Sequence, residues 1–163
     1  MEITGAEITQ KVHEAFKSKG LKLSVVESCT GGLIGHMLTE LPGASAFLHS
    51  SMVCYSASAK HGLLGIKNSF LKKHGAISED TAREMADRAR AKTGADVSLA
   101  VAGVAGPGPV EGKEAGLVYI AVSTGAETSS RGFKFDGTRG EIKHAASTMA
   151  LKFLYEAVSV WGA

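Results

Sequence analysis

Two hydrophobic periods take turns along the chain. Ile8, Val12, Ala15 and Phe16 share one helical face, preceded by the capping-box pattern Thr4-Gly5-Ala6-Glu7 and closed by Gly20, which predicts a first helix. Leu21 to Val26 alternates apolar and polar residues as a strand does, and Leu33, Ile34, Leu38 and Leu41 return to helical spacing. Pro42-Gly43 makes a turn, Phe47 to Tyr55 reads as a second strand and Ser56 to Leu64 as a short helix. Asn68 to Lys73 adds a helical turn, and Ser78, followed by Glu79 and Asp80, caps a longer helix that Gly94 stops. Val97 to Val101 is strongly apolar, as expected of a strand covered on both faces. Leu117 to Ser123 and Ser129 to Phe135 flank Gly125-Ala126 and predict a hairpin. Thr138-Arg139-Gly140-Glu141 offers a capping box for a last helix, with Ile142, Ala145, Met149, Phe153 and Ala157 as its buried stripe. This order predicts an α/β fold: a single three-layer α/β/α domain over residues 1–163, with a mixed sheet and an antiparallel hairpin near the C-terminus.

Composition narrows the function classes. With 163 residues, 44% of them hydrophobic, the chain can bury one substantial core. A net charge of +2 with mixed signs and only 6% aromatic residues argues against a nucleic-acid partner and for a small molecule. No apolar run approaches the roughly 20 residues needed to cross a bilayer, and the amino terminus has no signal segment. No membrane association and a cytoplasmic location are therefore expected. The two cysteines, Cys29 and Cys54, suit a reducing compartment and small buried positions. The six histidines show no ligand spacing with cysteines or carboxylates, so no metal site is predicted.

The chemistry concentrates where predicted strands end. Glu27-Ser28-Cys29-Thr30-Gly31-Gly32 lies between a strand and a helix, where the first N–H groups of the helix lack internal partners and favour an anion. Ser28 is a candidate nucleophile there, with Thr30, Gly31 and Gly32 as a candidate cradle; the alternative is that Ser28 or Thr30 merely caps the helix. Tyr55 to Lys60 follows the second strand and Gly103 to Gly108 the third, so three segments converge on the crevice beyond the carboxyl ends of the strands. Lys60 is a candidate base for Ser28, since burial lowers the pKa of an amine. Tyr55 is placed to relay the proton or to hold the lysine. Taken singly, Lys60 also reads as a solvated helix residue, Tyr55 as a core aromatic and the Gly103–Gly108 loop as a plain turn. Cys29 is a second candidate nucleophile. Pro107, Pro109 and the acidic residues that follow them, where a helix should begin, exclude a Rossmann fingerprint.

Glu27-Ser28-Cys29-Thr30-Gly31-Gly32, Leu41-Pro42-Gly43, Tyr55-Ser56 with Lys60, Gly75-Ala76-Ile77-Ser78 and Gly103-Val104-Ala105-Gly106-Pro107 together resemble the CinA carboxyl-terminal family of nicotinamide-nucleotide amidohydrolases. The resemblance runs over nearly the whole chain and implies the stand-alone form, without a larger amino-terminal domain. It implies deamidation of nicotinamide mononucleotide to nicotinate mononucleotide and ammonia in pyridine-nucleotide salvage, with no cofactor and no metal. It places a Ser-Lys catalytic pair on Ser28 and Lys60, an assisting tyrosine on Tyr55 and a phosphate-side arginine on Arg139, with Gly103 and Gly106 beside the substrate. It also implies a homo-oligomer. Three departures from the family pattern stand out: Ala102 for a threonine, Ser50-Ser51 for a glycine pair, and Ala57 within Tyr55-Ser56-Ala57-Ser58-Ala59-Lys60. They imply a pocket changed in three places. They keep open a catalytically silent nucleotide-binding or regulatory homologue, or an amidase for another small amide.

Overall fold

A computed structural model describes residues 2–161. A five-stranded sheet has the order β2-β1-β3-β4-β5, made from Leu23–Glu27 (β1), Leu48–Val53 (β2), Val97–Gly103 (β3), Leu117–Ser123 (β4) and Thr128–Lys134 (β5). β1 is parallel to β2 and β3, whereas β4 runs antiparallel to both β3 and β5. Among the described residues there are also a short 3₁₀ turn, Ala44–Ala46, and six α-helices: Gly5–Lys19 (α1), Leu33–Glu40 (α2), Ala57–Leu64 (α3), Asn68–His74 (α4), Glu79–Thr93 (α5) and Arg139–Val160 (α6). α1, α2 and α6 pack together over one face of the sheet, and α5, flanked by α3 and α4, covers the other. The three-layer α/β architecture with its carboxyl-terminal hairpin is therefore present.

The two faces differ in side-chain size. Leu23, Val25, Val97, Leu99, Val101, Val118, Ile120 and Val122 point toward α1 and α6, while Val26, Ala100, Ala102 and Ala121 point toward α5. α5 answers with Ala82, Ala86 and Ala89, so helix and sheet approach closely on that side. The close approach brings Ser98 Oγ–H onto the Ala86 carbonyl. All five residues of β1 are buried, because both of its faces and both of its edges are covered. The apolar–polar alternation read over Leu21 to Val26 consequently does not describe a half-exposed strand.

Capping signals located the helices well. Thr4 and Thr138 both form complete capping boxes, with Glu7 and Glu141, and Ser56 and Ser78 cap α3 and α5. The buried line of α6 runs through Ile142, Ala146, Ala150, Phe153, Leu154 and Val158, whereas Ala145, Met149 and Ala157 are only partly covered. From Ile142 the line keeps a spacing of four through Ala146, Ala150, Leu154 and Val158, one position beyond the predicted stripe.

The chain leaves β1 for the edge strand β2, then crosses back over β1 to reach β3. Strand order reverses at β1, and an open α/β sheet leaves a crevice beyond the strand ends at such a point.

Candidate active site

A cavity of about 300 Å³ occupies this crevice, near the lower end of the range for small-molecule sites, roughly 300–1,000 Å³. Ser28, Tyr55, Lys60, Gly103, Gly106 and Arg139 all line it. A larger hollow of about 540 Å³ lies between β5 and α6, near Arg131, Phe153 and Trp161, and contains none of these residues.

Lys60 is the centre of the site. It comes from the first turn of α3, is 1% exposed, and places Nζ 3.0 Å from Ser28 Oγ. Two main-chain carbonyls complete its surroundings, Cys54 at 3.1 Å and Tyr55 at 3.4 Å. Three acceptors match the three protons of an ammonium. With one proton fewer, the same two carbonyls hold the amine and leave its lone pair toward Ser28. Burial is the chief influence on the group and pushes its pKa below the usual 10.5, against weaker opposing influences from Cys54, Cys29 and Glu111.

Ser28 is 5% exposed and follows directly on β1; its main-chain N–H is fixed to the Val101 carbonyl at 3.0 Å, in register with β3. Its hydroxyl reaches the Tyr55 carbonyl at 3.3 Å. Cys29, the other candidate nucleophile, has its thiol pushed up to about 11, chiefly by burial. It is a neutral thiol at physiological pH, which removes the thiolate that nucleophilic attack requires.

Tyr55 divides its functions between main chain and side chain. Its carbonyl serves the Ser28–Lys60 pair, while its phenol, on a residue 59% exposed, accepts a bond from Arg139 at 3.1 Å. The phenol therefore stands at the mouth, bonded to Arg139, while the expected contact with the lysine is made by the Tyr55 carbonyl. Arg139, the first residue of α6, also donates to the Gly106 carbonyl and so ties the mouth to the turn after β3.

The expected anion cradle at Thr30, Gly31 and Gly32 is corrected. None of the three lines the cavity. The carboxylate of Glu27, itself fully buried, accepts from Thr30 Oγ at 2.6 Å and from the N–H groups of Gly32, Ile34 and Gly35 at 3.2, 3.0 and 3.0 Å. Gly31 N–H donates to the Ser28 carbonyl. An internal carboxylate already occupies the positive end of α2, so the capping reading of Ser28 and Thr30 fails as well. Gly32 is the N-cap and makes no side-chain bond.

Two acidic residues at the site were not singled out by sequence reasoning. Glu27 was legible as an acidic residue closing an apolar strand just ahead of a glycine pair. Glu111 lines the cavity at the tip of a two-residue turn, Val110 to Lys113, with φ of 53°. Its oxygens accept from the N–H groups of Ala76 and Ile77 at 3.1 and 3.2 Å, fastening the 104–116 segment across the cavity. Gly75 makes the approach possible, since a Cβ there would lie 2.7 Å from Glu111 Oε2. The Glu-Gly pair at 111–112 was the available signal.

Of the three departures noted in the sequence, only Ala57 borders the cavity. Ala102 is buried on the α5 side of the sheet. Ser50 bonds Ser24, and Ser51 lies exposed on β2 beside Gly35. The expectation of three altered pocket positions thus reduces to one.

Residues 5–158 match the CinA C-terminal domain family. Among curated relatives, a CinA-like protein of Syntrophus aciditrophicus is 48% identical over 136 residues, 82% of this chain and 32% of the relative. A putative competence-damage inducible protein of Caldicellulosiruptor bescii is 47% identical over 137 residues, 83% of this chain and 33% of the relative. The chain therefore spans about a third of the length of such relatives. Among solved structures, the competence damage-inducible protein A (ComA) of Klebsiella pneumoniae superposes with a TM-score of 0.94 at 32% identity, covering 98% of this chain and 99% of that one. The competence/damage inducible protein CihA of Agrobacterium tumefaciens gives 0.89 at 34% identity, covering 98% and 99%.

Proposed function

The chain belongs to the CinA C-terminal domain family, and from that premise we propose that it is an amidohydrolase that uses Ser28 as nucleophile and Lys60 as base, with nicotinamide mononucleotide as its substrate. The observation that carries this reading is the buried amine of Lys60 at 3.0 Å from the Ser28 hydroxyl, inside a cavity with a cation at its mouth.

Ser28 Oγ attacks the carboxamide carbon as its proton passes to neutral Lys60, and the carbonyl oxygen takes up the negative charge. Because the N–H groups of Gly32, Ile34 and Gly35 are committed to Glu27, the oxyanion is received on the side of the Gly103–Gly106 turn. Collapse of the tetrahedral intermediate breaks the C–N bond, and Lys60 returns its proton to the departing ammonia. Water then attacks the acyl ester, Lys60 takes one of its protons, and nicotinate mononucleotide leaves as Ser28 is reprotonated. Arg139 offers a fixed guanidinium to the phosphate, its geometry set by Gly106 and Tyr55. Among the described residues no helix is long and apolar enough to cross a membrane. A cytoplasmic homo-oligomer acting in nucleotide salvage completes the reading.

Purified protein incubated with nicotinamide mononucleotide should release ammonia, and Ser28→Ala should release none. A wild type that binds the nucleotide yet releases no ammonia over hours would leave a silent binding protein instead. Ala57 favours one further reading, an amidase for a different small amide, because it is the one departure from the family pattern that stands at the cavity wall. A panel of small amides separates the two.

A further inference from the structure

Glu27 closes β1 immediately ahead of Ser28 and is fully buried. A carboxylate so placed is costly unless hydrogen bonds replace its hydration. Its bonds all come from the turn that follows: Oε1 accepts from Thr30 Oγ, Gly32 N–H and Ile34 N–H, and Oε2 accepts from Gly35 N–H. An ordinary Ser or Thr cap satisfies one such N–H group, whereas Glu27 holds three and a hydroxyl. The main chain of the same residue reaches the other half of the site. Cys54 N–H donates to the Glu27 carbonyl at 2.8 Å, and the Cys54 carbonyl in turn receives Lys60 Nζ at 3.1 Å. One residue is thus bonded to the turn that carries the serine and to the strand end that holds the lysine.

We propose that Glu27 is a positioning residue of the Ser28–Lys60 pair, its carboxylate fixing the strand-to-helix turn so that the serine hydroxyl is presented to the amine. The proposal rests on the reading of this pair as nucleophile and base, and not on which amide is hydrolysed. Both carboxylate oxygens accept from main-chain N–H groups, so glutamine cannot substitute: in either orientation its NH2 group would face at least one N–H donor. Little room exists for another arrangement, since a Cβ on Gly35 would lie 2.4 Å from Ser51 Oγ and 3.7 Å from Glu27 Oε2.

The test needs no substrate. A fluorophosphonate forms a bond between Ser28 Oγ and phosphorus, fluoride departs, and the hydroxyl proton goes to Lys60; mass spectrometry follows the rate on the full chain. Glu27→Gln should slow labelling by about 100-fold, the effect expected of a displacement near 1 Å. Thr30→Val should slow it severalfold and Thr30→Ser should restore it, a rescue that general loosening of the fold would not produce. Crystal structures of Glu27→Gln and Thr30→Val should show the Oγ–Nζ separation beyond hydrogen-bonding reach. Should Glu27→Gln fail to fold, the Thr30 pair decides by the same two measurements. Wild-type labelling rates in the folded variants, or retention of the 3.0 Å separation, overturn the proposal, as does a wild-type Ser28 inert to the probe. Labelling that depends on Glu27 in a protein that leaves nicotinamide mononucleotide intact would sink the substrate reading alone.

Discussion

Two glycine-bearing turns follow neighbouring parallel strands in this protein, and they do opposite things. The turn after β1, Ser28 to Gly32, is closed: a buried carboxylate takes its N–H groups, and only Ser28 and Cys29 reach the cavity. The turn after β3, Gly103 to Gly108, faces the cavity along most of its length and is joined to the mouth by Arg139. A glycine after a strand therefore signals a backbone that bends or approaches closely, without saying what approaches it. In one turn it is the protein's own glutamate; the other faces the cavity.

The largest effects are expected at Ser28, on the closed turn, and at Lys60, which reaches it from α3. Ser28→Ala and Lys60→Met should each lower ammonia release by at least about 10⁴-fold, as losing a nucleophile or its base does elsewhere. Lys60→Arg should be equally inactive, because a guanidinium stays protonated. In the wild type the rate should rise with pH along a limb lying below the usual lysine value of 10.5, since burial favours the neutral amine that acts as base. Stability has the matching sign. Between the lowered folded value and 10.5 the unfolded chain binds more protons than the native one, so wild-type stability should rise with pH there relative to Lys60→Met. Denaturant titrations of both proteins across that window check it, and parallel curves would mean that Lys60 is not the perturbed group.

Next in size is a pair of substitutions that sets the two turns against each other. A Cβ on Gly103 would meet the Leu117 carbonyl oxygen at 2.6 Å and Val118 Cα at 2.8 Å, so Gly103→Ala must move main chain beside the cavity. It should cost about 1–3 kcal/mol of stability, as overpacking does, and activity should fall with it. Gly31 has φ of 62°, but a Cβ there would meet only Lys143 Nζ at 3.7 Å. Gly31→Ala should cost about 1–2 kcal/mol for the left-handed backbone alone, with kcat/KM of the folded protein unchanged. Equal losses of activity in the two variants would erase the distinction between a closed and an open turn.

At the mouth, Arg139→Ala should raise KM for the phosphorylated substrate by about 10-fold or more, the scale of a charge-assisted bond of roughly 1.5–3 kcal/mol. Its kcat should change far less, and the effect should disappear with an unphosphorylated amide. The smallest effect is expected for Tyr55→Phe. The carbonyl that serves Lys60 remains, and only the bond to Arg139 is lost. A severalfold rise in KM with kcat preserved is the expected outcome, whereas a collapse of kcat would return the phenol to the chemistry.

Local signals carried much of the fold. Thr4, Ser78 and Thr138 cap the helices that the sequence assigned them, because capping depends on residues only three positions apart, and Ser56, read as the first residue of its helix, is the cap of that helix. Ser28 and Lys60 were also legible as candidates, since strand ends deliver side chains to a common crevice. Pocket details were less so. Ala102 and Thr30 sit beside cavity-lining residues in the chain and Gly32 follows two positions after Thr30, yet they point elsewhere or are already bonded.

The sequence alone determined the helices and strands, their order and the residue types available for catalysis, because periodicity, capping and turn chemistry act over a few neighbouring residues. Tertiary structure decided which backbone groups remained for a ligand and how deeply Lys60 was buried. Those outcomes depend on partners far apart in the chain: Cys54 on Glu27, Glu111 on Ala76 and Ile77, Arg139 on Tyr55. A hydrogen-bonding group spent on a distant partner looks, in the sequence, the same as one still open.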